Sequence, residues 1–505
     1  MIKLIYRIES DYMSKKRMLI VTSVTLSVVT ISLGIVKLYQ TYALSNYIGT
    51  VTDTGIDVYV NDDSYVSIPA NSSNSVYYML TNTNPGTVKY GVAYQTTSGV
   101  TVKVYDTSED PATGTIEEND KKYIKLHLEN KNSTNKTIEL STVLGYENGG
   151  DLVVPSGVTL VTDTYTPPPT AAEYITKLYT TASKTTVTNN SITYNTAPSV
   201  SLMNDRLGGT TTDLDGGNIR YYGASPNNYI YFNCSDYSNQ TSSTCETWRI
   251  IGVFNGKLKI IRGSQIGTYS WDNKDTSTGA ESNFGKNDWT TARLMKLLNP
   301  SDYYTTDSND NNLGQGLYYN SASGKCYSGQ NNATVDCNFT STGIKNDITR
   351  NMIAETTYNL GGWNTNKIYS NQIYEYERGT TVYTGRPTTP WTGKIALAYP
   401  SDYGYAADLN QCKDKILKDY DNSTCTSNNW MKAIITNNGS SLGWLLTPHS
   451  SYSHSVWSVY SSGYVVYRSA YNVIGVVPVL SLSSKLGIEP GSGDGSSSNP
   501  YKLSA

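Results

Sequence analysis

The sequence predicts an α+β protein that is mostly β, with an N-terminal transmembrane helix, a β-sandwich and a larger C-terminal domain. An uncharged stretch of 19 residues, 18–36, is long enough to cross a bilayer as a helix. Short runs of alternating apolar and polar residues, separated by turn sequences, follow this stretch. All six cysteines lie beyond residue 230, in pairs of short spacing.

Length and composition limit the kinds of protein that this chain can be and the partners that it can bind. A chain of 505 residues is long enough for about three domains. The net charge of −3 and the absence of a basic stripe indicate that the partner is not a nucleic acid. There are 44 Tyr but only 4 Phe, so many aromatic rings carry a hydroxyl that needs water or a partner. This composition is typical of an extracellular, β-rich protein.

The N-terminus predicts a membrane anchor at residues 18–38. Lys15, Lys16 and Arg17 precede the apolar stretch, so the positive-inside rule places residues 1–17 in the cytoplasm. We therefore expect a single-pass protein of the cell membrane, with the bulk of the chain outside. A cleaved signal peptide is the alternative, because Thr41-Tyr42-Ala43 offers small residues for cleavage. Signal peptides have shorter apolar regions, which favours the uncleaved anchor.

Residues 45–163 predict an immunoglobulin-like β-sandwich. Val100, Val102 and Val104 alternate with polar residues, and Ile124, Leu126 and Leu128 do the same. Turn sequences separate such strands, and no amphipathic helix lies between them.

Residues 164–198 predict a proline-rich linker and a short helix. Three consecutive prolines, at 167–169, form a stiff spacer. Thr170 and Glu173 then form a capping box, which starts a helix. Residues 180–198 are polar, and we expect them to be loosely structured.

The last domain, 199–505, contains one clear hairpin and two helices. Asn255-Gly256 suits a two-residue turn between strands that span 249–262. One helix is expected from Asp288 to Leu298, and the other should place Ile344, Ile348 and Met352 on one stripe. An edge strand is expected near the C-terminus, at 499–503.

The cysteines predict three local disulfides. Their spacings of 11, 11 and 13 residues favour pairing between neighbours, and each bond would close one loop. Zinc is the alternative, but the chain has neither a Cys-x-x-Cys motif nor a nearby pair of histidines. The expected pairs are Cys234 with Cys245, Cys326 with Cys337, and Cys412 with Cys425.

A segment rich in Tyr, Ser, His and Trp, residues 444–482, predicts a ligand-binding surface. Tyr and Trp supply large, stiff contact area, while Ser and Asn adapt their hydrogen bonds. Val456, Val459, Val465 and the run 476–480 are expected in the core. The expected contact residues are Tyr452, His454, Trp457, Tyr460, Tyr464, Tyr467, Arg468, Tyr471 and Asn472.

The same segment carries a family resemblance. Its patterns are Trp444-Leu445, Thr447-Pro448, Val459-x-Ser-Ser-Gly-Tyr-Val465 and Gly475-x-x-Pro478. They resemble the C-terminal signature of bacterial surface proteins with the C-type-lectin-like fold. Formylglycine-generating sulfatase-modifying enzymes and variable proteins diversified by retroelements share that fold. The resemblance implies a C-type-lectin-like last domain with two or three helices.

This sequence departs from the family pattern at two positions. Leu446 and Val477 stand where the family usually has arginine. Pocket chemistry that depends on those arginines is therefore not expected in this chain.

Catalysis is not expected. A formylglycine-generating activity needs a reactive cysteine pair, and each cysteine here has a near partner. Cysteine-histidine catalysis needs an oriented histidine, and His449 and His454 are interpreted as exposed contact residues. We expect no cofactor and assign no metal. A calcium-binding loop remains an alternative, because Asp302 and the Asp and Asn residues of 307–311 provide clustered oxygen ligands. The helix-loop-helix type of calcium site would need Glu at position 318, where this chain has Tyr.

Two functions remain open from the sequence. The first is a membrane-anchored extracellular binding protein or adhesin that recognises a protein or a glycan. The second is a structural component of the cell envelope or extracellular matrix. A saturable partner for a monomeric protein would favour the first, and self-association without a partner would favour the second.

Overall fold

The structure is a computed structural model that describes residues 44–52, 55–59, 65–82, 86–145, 151–152, 154–205, 217–273, 283–305, 315–326, 335–489 and 491–504. The predicted transmembrane segment, 18–38, lies outside these residues. Within them, no helix has the length and apolar character needed to span a membrane. The chain divides into an N-terminal unit, Met1–Pro167, and a C-terminal unit, Pro168–Ala505. It is mostly β with few helices, as predicted.

The N-terminal unit consists of two sheets. Their strand orders are β11-β6-β8-β4-β1-β2 and β10-β5-β9-β3, and β7 pairs with β5. The strands are β1 (Leu44–Thr52), β2 (Gly55–Tyr59), β3 (Tyr65–Ile68), β4 (Ser72–Asn82), β5 (Val88–Gln95), β6 (Val100–Tyr105), β7 (Thr113–Ile116), β8 (Lys121–Asn130), β9 (Lys136–Leu144), β10 (Val158–Leu160) and β11 (Thr164–Tyr165).

Alternation along the strands builds the core between these two sheets. In β8, Ile124, Leu126 and Leu128 are fully buried. They pack in one cluster with side chains of the other sheet, among them Ile138 and Leu140 of β9. The period-2 pattern in the sequence therefore marks the inner face correctly.

The C-terminal unit combines a nine-stranded sheet, a five-stranded sheet and three strand pairs with short helices. The strands are β12 (Thr185–Asn189), β13 (Ile192–Ala197), β14 (Leu202–Asn204), β15 (Ile219–Tyr221), β16 (Tyr229–Phe232), β17 (Glu246–Phe254), β18 (Lys257–Arg262), β19 (Gly267–Ser270), β20 (Ser323–Cys326), β21 (Val335–Asn338), β22 (Thr356–Tyr358), β23 (Trp391–Gly393), β24 (Ile395–Ala396), β25 (Gly443–Pro448), β26 (Ser455–Val459), β27 (Val465–Ser469), β28 (Val473–Val476), β29 (Val479–Ser481), β30 (Gly487–Ile488) and β31 (Leu503–Ser504). The helices are α1 (Ala171–Thr181), α2 (Arg293–Leu298), α3 (Asp347–Met352), α4 (Ser370–Glu377), α5 (Pro400–Tyr405), α6 (Ser423–Ser427) and α7 (Trp430–Ile435).

The predicted linker is partly integrated into the C-terminal unit. Thr170 and Glu173 form the expected capping box, and α1 buries Ile175 and Tyr179 in the main core. The expectation that residues 180–198 are loose is wrong, because β12 and β13 pair and join the nine-stranded sheet. Hydrogen-bonded threonine pairs across these strands, such as Thr185 with Thr196 at 2.9 Å, explain how so polar a segment forms a hairpin.

The hairpin expected at 249–262 is present as β17 and β18. Asn255 and Gly256 have φ values of +50° and +70°, which a type I′ turn requires at both central positions. The register shifts between Ile250 and Gly252, where a bulge interrupts the ladder.

The two expected helices are shorter than the sequence predicts. Helix α2 begins only at Arg293, because the Asp288 carboxylate accepts hydrogen bonds from the amide and hydroxyl of Thr290 and forms a local turn. Helix α3 begins at Asp347, after Ile344, and Ile348 is 56% exposed. The proposed apolar stripe on α3 is therefore wrong.

The three predicted disulfides are present and pin three separate loops of the C-terminal unit. They join Cys234 to Cys245, Cys326 to Cys337, and Cys412 to Cys425.

A buried charged cluster fixes α4 and α5. The Asp402 carboxylate lies 2.9 Å from Arg220 Nη1 and 2.5 Å from Lys259 Nζ. Burial opposes its ionisation, but these two cations hold the pKa of Asp402 at about 2. Glu377, at the end of α4, accepts hydrogen bonds from the amide and hydroxyl of Ser401. Burial raises the pKa of Glu377 to about 7.

Candidate ligand-binding surface

The predicted binding segment folds into β25 to β29. Strands β25 to β28 lie in the five-stranded sheet, whose order is β19-β28-β25-β26-β27. Strand β27 therefore forms one edge of that sheet. The expected core residues Val456, Val459, Val465 and the run 476–480 are all buried, as predicted.

Three exposed rings and two half-buried ones form a continuous aromatic surface on this part of the unit. Tyr452 and Tyr467 are 47% and 40% exposed, and their ring centroids are 5.5 Å apart. Tyr452 also lies 6.5 Å from His454, whose ring lies 5.0 Å from that of Phe284. Phe284, itself 40% exposed, stacks on Tyr471 at 5.5 Å. We call these five residues the aromatic surface.

Two buried rings support the aromatic surface from below. His449 is 1% exposed, stacks on Trp457 at 5.2 Å, and lies 4.7 Å from both Tyr452 and Tyr467. Trp457 is also 1% exposed, and its indole Nε1 donates to the Trp363 carbonyl at 3.3 Å. The expectation that His449 and Trp457 are exposed contact residues is therefore wrong. Both belong to the packed layer beneath the aromatic surface.

His449 is neutral at physiological pH. Burial lowers the pKa of its imidazole to about 4. Its Nδ1 accepts a hydrogen bond from the Ser451 amide at 3.1 Å, which only an unprotonated Nδ1 can do. A neutral imidazole packs against the surrounding rings without the desolvation cost of a buried charge.

The loop that carries Tyr452 is clamped from outside the segment. Asn287 Nδ2 donates to the carbonyls of His449, Tyr452 and Ser455 at 2.9, 2.9 and 3.0 Å. Asn287 Oδ1 in turn accepts from Arg386 Nε at 2.7 Å. The Arg386 guanidinium also donates to the Ser453 carbonyl at 2.7 Å. This network holds the loop in one conformation, which lowers the entropy cost of binding.

Three of the four remaining predicted contacts, Tyr460, Tyr464 and Arg468, form a separate group on the opposite face of the β26–β27 hairpin. Tyr460 and Tyr464 stack at 4.9 Å, and the Arg468 guanidinium lies 5.7 Å from the Tyr460 ring. Successive strand residues point to opposite faces, so Arg468 and Tyr467 cannot contact the same flat ligand surface. Asn472 is half-buried in the turn that follows β27. The structure thus divides the predicted site into two surfaces.

Three residues that matter to this site were missed from the sequence. Phe284 extends the aromatic surface, and Asn287 and Arg386 clamp its loop. The Asn287 contact to His449 spans 162 residues of sequence. No local sequence pattern around Asn287 or Arg386 predicts such a contact.

Most of the possible calcium-binding loop lies within residues 306–314, which are outside the described residues. In the part of the chain that the structure describes, no group of three or more His, Cys, Asp or Glu residues is arranged to hold a metal.

No protein-family model matches the chain, and no curated protein matches it. One solved structure to which the chain is similar is the envelope protein VP37 from White Spot Syndrome Virus. The two chains are 14% identical, and the match covers 21% of this chain and 97% of the VP37 chain, with a TM-score of 0.12. A similarity at that TM-score carries no conclusion about fold or function.

Proposed function

We propose that this chain is a membrane-anchored extracellular binding protein or adhesin that recognises a protein or glycan through its aromatic surface. The observation that carries the proposal is the continuous set of exposed and half-buried rings, in which Tyr452 lies on a clamped loop. Exposed rings gain free energy when a partner covers them, and binding energy usually concentrates in a few aromatic residues. Tyr452, at 47%, and Tyr467, at 40%, are among the most exposed rings of the set, and we propose them as the main contacts.

The sequence and the disulfides support the proposed location. The apolar stretch 18–38 with its basic flank is proposed as the single transmembrane anchor, with residues 1–17 in the cytoplasm. Three disulfides in the C-terminal unit are typical of a protein that folds in an oxidising compartment.

We also propose a fold family for each of the two units. The N-terminal unit is proposed to be immunoglobulin-like because it packs two largely antiparallel sheets over one core. The C-terminal unit is proposed to be C-type-lectin-like on the resemblance of its motifs to bacterial surface proteins.

Diversification by a retroelement is proposed for the exposed positions of the segment. Tyr452 and Tyr467 reach solvent, while buried Val456, Val459 and Val465 carry the fold. Replacement of the exposed rings would therefore change recognition with little cost in stability.

No catalytic role is part of the proposal. All six cysteines are in disulfides, so a reactive cysteine pair is not available. His449 is buried with its Nδ1 engaged by a backbone amide, which suits a packing role rather than proton transfer.

The experiment is to apply the purified full chain to arrays of defined glycans and of purified cell-surface proteins, with sedimentation of the same sample. The proposal expects a monomer that binds at least one arrayed ligand saturably. The Tyr452→Ala and Tyr467→Ala variants should each weaken that binding by about 1 to 3 kcal/mol. A chain that self-associates and binds no arrayed ligand would overturn the proposal in favour of a structural component of the cell envelope or matrix.

A further inference from the structure

A pocket of about 480 Å³ lies in the C-terminal unit between β17 and α7. Its lining includes Tyr229, Arg249, Arg262, Ser264, Trp430 and Asn438. None of the residues of the aromatic surface lines it, so the pocket is a separate site. Its volume falls within the range of about 300 to 1,000 Å³ that small-molecule pockets occupy.

Arg249 is the unusual residue of this pocket. Its side chain is only 6% exposed, yet no carboxylate of the described residues forms an ion pair with it. Its Nε donates to Asn228 Oδ1 at 2.5 Å, and its Nη2 donates to the Pro226 carbonyl at 3.2 Å. Both acceptors are neutral, so the guanidinium charge is not compensated. Burial accordingly lowers the pKa of Arg249 to about 10.

Aromatic packing fixes the orientation of this cation. The Arg249 guanidinium lies 3.7 Å from the Tyr229 ring centroid and 4.9 Å from that of Trp430. Tyr229 is its cross-strand neighbour, and Trp430 is anchored because its Nε1 donates to the Tyr221 carbonyl at 3.0 Å. Because Nε and Nη2 are engaged by Asn228 and Pro226, the Nη1 end of the guanidinium is the part that can meet a ligand.

The second arginine of the pocket does not share this property. Arg262 makes two hydrogen bonds to Glu246, from Nε at 3.0 Å and from Nη2 at 3.2 Å. These two charges cancel, which leaves the pocket with one net positive charge from Arg249. A buried, unpaired cation is costly unless an anion neutralises it.

We propose that this pocket binds a small organic monocarboxylate, with an acidic monosaccharide as the ligand class. The carboxylate would face the Arg249 guanidinium, since this pairing gives charge-assisted hydrogen bonds. The exposed amides of Asn437 and Asn438 and the hydroxyl of Ser264, on the rim, suit the hydroxyls of a sugar ring. The single net charge favours a monoanion over a phosphate. This site is independent of the aromatic surface and of the function proposed for it.

The test is calorimetric titration of the full chain with sodium glucuronate, glucose and inorganic phosphate. Glucose is the matched control, because it differs from glucuronate in lacking the carboxylate. We expect saturable binding of glucuronate and at least about tenfold weaker binding of glucose and of phosphate.

Three variants locate the site. Arg249→Gln should weaken glucuronate binding by at least about tenfold, and Asn438→Ala should weaken it by about threefold. Arg468→Gln, which removes an arginine outside the pocket, should leave it unchanged. If Arg249→Gln does not fold, the exposed Asn438→Ala variant and the comparison of glucuronate with glucose decide the outcome. Absence of saturable glucuronate binding, equal affinity for glucose, tighter binding of phosphate, or full binding by folded Arg249→Gln would each overturn the proposal.

Discussion

Asn287 should control the stability of the loop that carries Tyr452. The Asn287→Ala substitution removes three side-chain hydrogen bonds to carbonyls of the loop and the acceptor of Arg386 Nε. Asn287 is buried, so water cannot easily replace the lost partners. The amide has two hydrogens for three carbonyls, so two to three net bonds of about 1 kcal/mol each are lost, and a buried charged donor without its acceptor costs about 1 to 2 kcal/mol more. We expect the free energy of unfolding to fall by about 3 to 5 kcal/mol.

Guanidinium unfolding followed by tryptophan fluorescence measures this loss. All eight tryptophans lie beyond residue 168, so the signal reports on the C-terminal unit alone. Asn472→Ala is the matched control, because it removes the same side chain from a half-buried turn that follows β27. The control should change the free energy of unfolding by less than about 0.5 kcal/mol. Equal effects of the two substitutions would refute the clamp.

Three further predictions concern pH and topology. Burial raises the pKa of Glu377 to about 7. The protonated carboxyl therefore contributes to the free energy of unfolding below about pH 4.5, and this contribution is lost as the pH rises through 7. The Glu377→Gln variant should not show this loss, which amounts to up to about 3 kcal/mol in the unmodified chain. If stability depended on pH in the same way in both proteins, Glu377 would not be a buried carboxyl. The pKa of His449 is lowered to about 4, so its contribution is present above about pH 6.5 and lost as pH falls through 4. His449→Gln should flatten the stability profile across that range, and a profile like that of the unmodified chain would exclude His449 as its source. Protease added to intact cells should remove the chain beyond residue 45, whereas protection of both units would refute the topology.

The features that the sequence predicted correctly depend on neighbouring residues. Asn255-Gly256 encodes its turn locally, the capping box spans Thr170 to Glu173, and each disulfide closes a short loop. Alternation along β8 likewise marks the buried face of a strand. Such patterns need no knowledge of the tertiary structure.

Some features that it predicted wrongly depend on contacts between segments that are distant in the sequence. His449 and Trp457 lie in a Tyr- and Ser-rich stretch that looks exposed, but Trp363, far away in the sequence, helps cover them. The hairpin of residues 185–197 was missed for a different reason, because its threonine pairs form across the two strands and the sequence was interpreted only as polar. The sequence also did not show that the predicted contact residues lie on two faces, because this depends on the register between β26 and β27.

The most direct test of the central claim compares Tyr467→Ala with Tyr460→Ala in both ligand affinity and stability. Both substitutions remove a tyrosine ring near the same hairpin, but only Tyr467 belongs to the aromatic surface. We predict that Tyr467→Ala reduces affinity for an arrayed ligand by about 1 to 3 kcal/mol while the melting temperature hardly changes, and that Tyr460→Ala has a smaller effect on affinity. A lower melting temperature for Tyr467→Ala with unchanged binding would contradict the claim, since Tyr467 would then be part of the core rather than of a recognition surface.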